Sequence, residues 1–170
     1  MAGVPRKPDE ENLFAEIRAN IVFEKMIVSI LIATGLSAAA HFLLALAVRI
    51  SAGGISIEAI GSLILNAIFF AAFFFLAGFA ASVAIGIPLF KILEKSKFQK
   101  AWPYCAAALA VSFLILLAAG SPPSIEAPWR VLLLAPGLAA ALLFARRMRP
   151  FWEAAARRER ETQDAIIRLH

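Results

Sequence analysis

Hydrophobic and polar positions alternate along this chain in long blocks rather than in short periods. The longest block, Ala59 to Phe90, contains no charged residue. As a continuous helix its about 32 residues would reach roughly 48 Å, beyond the roughly 30 Å of a bilayer's hydrocarbon core. Three further blocks are almost free of charge, and polar or turn-rich segments separate all four. The pattern predicts an all-α polytopic membrane protein. Its four antiparallel transmembrane helices fall at about 26–48, 59–88, 101–119 and 129–145.

Each block has its own punctuation. Met26 to Val48 contains Ser37-Ala38-Ala39-Ala40, which has the small-residue character of a signal-peptidase site. However, Phe42, Leu43, Leu44 and Leu46 carry the apolar run to full spanning length, so an uncleaved helix is expected. Gly53-Gly54 breaks the chain before the second block. Gly86-Ile87-Pro88 is expected to kink or stop that block, since proline removes a backbone donor. Trp102 and Tyr104 open the third block as interface anchors, with Pro103 tolerated in a first turn. Pro136-Gly137 lies within the fourth block and predicts a mid-span kink.

The flanks are polar. In residues 1–25, Leu13, Ile17 and Ile21 recur every four positions with Phe14 beside them. This predicts a short amphipathic helix on the membrane surface, running into the first span. Residues 150–170 are rich in alanine, arginine and glutamate and predict a basic cytoplasmic C-terminal helix. The transmembrane domain between them covers 26–149.

Composition agrees with the block pattern. Of 170 residues, 61% are hydrophobic and 17% charged, against about 45–50% and about 25% in soluble domains. The net charge of +5 is distributed with a strong bias. Four Lys or Arg precede the first span, four lie between the second and third, and seven follow the fourth. The other two connections hold Arg49 and Arg130 alone. Positive charge marks the cytoplasmic side, so both termini are expected inside, in a multi-pass protein of the bacterial inner (plasma) membrane. The basic inner face would attract anionic lipid. Nucleic acid is not an expected partner, because no folded module carries the charge.

Candidate chemistry is sparse. Nothing in the sequence has the spacing of a metal site, a phosphate loop or a nucleophile elbow, so no cofactor, no metal and no enzymatic activity are expected. Gly78, Ser82 and Gly86 recur every four residues and define a helix-packing groove; Gly35 is a similar candidate on the first span. His41 and Asn66 sit at similar depths in spans one and two and form a candidate intramembrane polar pair. Glu58 and Glu126 could join His41 at an outer-face metal site, without recognisable spacing. The function expected is that of a non-catalytic accessory or structural subunit acting through helix–helix contacts. It would work as a homo-oligomer or within a larger membrane complex. The alternative is a small channel or transporter working as an oligomer, with an intramembrane enzyme third.

Overall fold

A computed structural model describes residues 8–54, 56–96, 100–120 and 128–167, and every element among them is helical. The main helices are α1 (Pro8–Ser51), α2 (Ile57–Ala81), α3 (Ile87–Lys95), α4 (Trp102–Ala118) and α5 (Ala135–Ile167). A π-helical turn, Ser82–Gly86, joins α2 to α3, and a 3-10 segment, Pro128–Leu134, leads into α5. Three helical stretches are long and apolar enough to cross a membrane: Arg18–Ser51, Ile57–Lys95 and Arg130–Arg157. Helix α4, with 17 residues, sits at the lower limit of spanning length.

Helix α1 is the centre of the packing. It lies against both α2 and α5, and α4 packs on α5. The residues that α1 buries are Val22, Met26, Ser29, Ile30, Ala33, Thr34 and Ala38. Their spacing of three and four residues traces one stripe along a 3.6-residue helix. Two members of the stripe are polar, and each is satisfied within its own helix. The Ser29 hydroxyl donates to the Lys25 carbonyl at 2.6 Å, and the Thr34 hydroxyl to the Ile30 carbonyl at 2.8 Å. This back-bonding lets short polar side chains pack among apolar neighbours without an orphaned donor.

Local chemistry sets the ends. Ser56 caps α2 by accepting the Ala59 amide at 3.2 Å, which satisfies one of the free amides of a first turn. Gly53 and Gly54 take φ of 114° and 140°, and Gly120, just past α4, takes 65°. Side chains disfavour these conformations, and glycine adopts them freely.

Of four sequence expectations, three require revision. First, Pro88 does not stop its helix, which continues to Lys95. The turn before it widens instead: the Ile87 amide reaches back five residues to the Ser82 carbonyl. A π turn shifts the preceding carbonyls and accommodates the missing donor and the proline ring. Second, Pro136-Gly137 is not a mid-span kink. It falls in the first turn of α5, after the 3-10 segment, where a missing amide proton costs little. Third, as expected, the polar N-terminal segment runs into the first span, within one helix, α1. Fourth, the C-terminal basic segment is not a separate helix, because α5 continues through Pro150.

Candidate functional site

Two features of the packed helices stand out: a cavity among the helices and a groove on the outside of α1 and α2.

The cavity, of about 130 Å³, is lined by α1, α2, the π turn, α3, α4 and α5. Met26, Ile30 and Thr34 form its α1 wall. Gly78 and Gly86 let α2 and the π turn approach that wall. A Cβ on Gly78 would lie 3.2 Å from Ile30 Cγ2, and one on Gly86 would lie 2.5 Å from Met26 Cε. The spacing of small residues is thus used at two of its three positions for close approach to α1. Ser82, between them, begins the π turn. On the opposite wall Gly137 meets Ser112 of α4: a Cβ there would collide with the Ser112 Oγ and lie 3.4 Å from the Ala108 carbonyl oxygen. Gly35 has open space around the position of an added Cβ. It therefore takes no part in packing within the chain.

An aromatic cluster adjoins the cavity through Tyr104 and Phe144. Tyr104 and Phe144 meet edge to face at 5.3 Å, Phe90 and Phe144 at 6.4 Å, and Trp152 stacks on Tyr104 at 5.9 Å. Val22, Met26 and Met148 complete the cluster. Close by, the Arg18 guanidinium of α1 pairs with the Glu94 carboxylate of α3 at 2.8 Å. Both partners are solvent-accessible, so the pair is worth about 0–1 kcal/mol. It nonetheless places the charged part of α1 beside the charged end of α3. Neither the cluster nor the ion pair was readable from sequence, since each joins residues from separate helices whose register is a tertiary property.

The outer groove is shallow and apolar. Ala38, Ala39 and Phe42 of α1 face Ile64, Ala67, Ile68 and Ala71 of α2 across it. Toward the tip of this hairpin the large side chains turn outward, among them Leu43, Leu44, Val48, Ile50 and Ile57.

His41 lies along this hairpin, and its partner differs from the expected one. Its ring stacks on Phe70 at 4.9 Å, nearly parallel at 4°. Asn66 is exposed, and among the described residues no hydrogen bond joins it to His41. The register explains this. Contacts of Ile30 with Gly78 and of His41 with Phe70 place Asn66, one turn before Phe70, level with a position one turn beyond His41. Among the described residues no three His, Cys, Asp or Glu side chains gather as a metal site. Glu126 lies outside the described residues.

No family model, curated protein or solved structure matches the chain.

Proposed function

We propose that this protein is a non-catalytic subunit of a bacterial inner membrane. In this reading four antiparallel helices span the bilayer, both termini are cytoplasmic, and the protein works through contacts between helices. The observation that carries the reading is the outer groove. A path of alanines flanked by Phe42, Ile64 and Ile68 on an outward apolar face suits a second helix in lipid. There, association depends on close shape rather than on hydrophobic expulsion from water. Gly35, outward and open, extends the small-residue surface on α1.

The distribution of charge supports the orientation. The Arg18–Glu94 pair and the packing of Met148 and Trp152 bring described parts of three basic segments near one another, and in the sequence those segments hold fifteen of the seventeen Lys and Arg. Anionic lipid would concentrate at that face, by about 1 kcal/mol for each nearby Lys or Arg. The alternative, a channel or transporter, would need a polar route through the bundle. The polar side chains lining the central cavity are Thr34, Tyr104 and Ser112. The Thr34 hydroxyl is engaged by its own helix.

The test is cross-linking in native membranes. In a Cys105→Ala background, cysteine at Ala67 should give a discrete cross-linked species, either a dimer or a defined complex with another membrane protein. Cysteine at Ala106, on the outward side of α4, should not. A chain that stays monomeric at both positions, and purifies alone from mild detergent, contradicts the reading.

A further inference from the structure

We propose that the central cavity is a lateral binding site for a single alkyl chain of a membrane lipid, entering between α2 and α4. The inference rests on the membrane reading above and goes beyond it by naming a ligand.

The helices pack in series: α2 on α1, α1 on α5, and α5 on α4. The remaining side of the ring, between α2 and α4, is not closed by comparable packing. The cavity occupies that gap, walled by Ala77 and Ala81 on one side and Ala107, Ala108 and Val111 on the other. A bundle inserted in lipid would therefore present an opening to acyl chains rather than to water.

Size and chemistry narrow the occupant. A cavity of about 130 Å³ is close to those that take up a small hydrocarbon in preference to water. It is too narrow for another helix, whose diameter with side chains is about 10–12 Å. A resident water needs two to four polar partners; of the three polar side chains in the lining, the Thr34 hydroxyl is already committed to the Ile30 and Leu31 carbonyls at 2.8 and 3.1 Å, which leaves Tyr104 and Ser112. On α1 alone the lining runs from Met26 to Thr34, about 12 Å along the helix axis. A linear chain lying parallel to the helices follows that lining.

The π turn adds an independent observation. Ile85 and Gly86 belong to it and line the cavity. Such turns displace one residue from the regular ladder and recur where helices shape a binding site. Here the widened turn immediately precedes Pro88 and supplies part of the cavity wall. At one end the Tyr104 and Phe144 rings line the cavity, with Phe90 packed against Phe144. Because the lining is largely apolar, the occupant's polar head would lie outside, at the membrane surface.

The experiment uses the full-length protein reconstituted in phosphatidylglycerol and phosphatidylethanolamine vesicles. A trace of phosphatidylglycerol carries a diazirine midway along one acyl chain. After illumination, peptide mass spectrometry should find adducts at cavity positions such as Ala108, Ser112 and Ala140, as well as at outward positions such as Leu114 and Leu132. In A77L/A140L, which fills the cavity, the inner adducts should fall at least tenfold while the outward ones persist. The outward-facing A72L should change neither. Adducts confined to outward positions in the wild-type protein would overturn the cavity site and leave the membrane reading standing. Inner adducts that persist in A77L/A140L would overturn it equally. Absence of adducts at every position would overturn the membrane reading itself. A diazirine-bearing free fatty acid, added in a parallel arm, should label the inner positions less than the phospholipid does; the reverse would assign the site to free acid.

Discussion

Gly137 offers the sharpest test of how these helices are held together. It stands in the first turn of α5, where a Cβ would strike the Ser112 Oγ and touch the Ala108 carbonyl at 3.4 Å. Two effects oppose each other in Gly137→Ala. Alanine has the better helix propensity, worth at most about 1 kcal/mol and less near a helix end. Overpacking a filled contact costs about 1–3 kcal/mol. The net expectation is a destabilisation of about 0–3 kcal/mol. The two effects separate in a double-mutant cycle. Ser112→Ala removes the colliding oxygen, leaving the Ser112 Cβ at 3.5 Å from the new methyl, an ordinary contact. In that background Gly137→Ala should be neutral or stabilising, so the cycle should show a coupling of about 1–2 kcal/mol. Gly61→Ala is the control, because nothing lies within 4 Å of its added Cβ. The assay is heat challenge in mild detergent followed by size-exclusion chromatography, with the order of midpoints as the readout. If Gly137→Ala lowers the midpoint equally with and without Ser112→Ala, or no more than Gly61→Ala does, the α4–α5 contact described here is wrong.

Three other predictions concern separate parts of the fold. Gly78→Leu should push against Ile30 and lower the heat-challenge midpoint by an amount equivalent to about 1–3 kcal/mol, whereas Phe75→Leu should cost less; equal losses would remove Gly78 from the α1–α2 contact. Changing His41 to Leu should couple with Phe70→Leu by about 0.5–1.5 kcal/mol and be additive with Asn66→Leu, and the opposite pattern would restore the polar pair. For orientation, cysteine at Ser51 should react with an impermeant thiol reagent added outside intact cells, as should cysteine at Ser121, which lies outside the described residues. Cysteine at Ser96 should stay unreactive, and labelling there would invert the topology.

The long apolar stretches were legible because lipid leaves a backbone few ways to satisfy its polar groups, so uninterrupted apolar sequence maps onto helix. Their ends were less so. Pro88 reads as a kink or a stop in isolation, yet the helix continues past it after a single π turn. Pro136 reads as a kink, yet a 3-10 segment places it at a helix start. Both outcomes depend on how preceding turns adjust, and no residue type signals this. The fourfold spacing of Gly78 and Gly86 pointed to a close contact but not to its partners, Ile30 and Met26. Gly35 shows the limit of reading small residues alone, for the same composition turns outward. Loop positions put His41 and Asn66 at matching depth, but the α1–α2 register is offset by about one turn and sets the histidine against Phe70 instead. The cavity was invisible in sequence because five helices and the π turn contribute to it.

The most direct test of a role through contacts rather than passage is solute flux. Purified protein should be reconstituted into sealed liposomes and assayed for movement of protons, potassium and small fluorescent anions, with and without an imposed potential. The account predicts leakage indistinguishable from protein-free vesicles, unchanged by His41→Ala. Reproducible flux that scales with protein content and is lost on changing His41, Thr34 or Ser112 would contradict it and establish a channel or transporter.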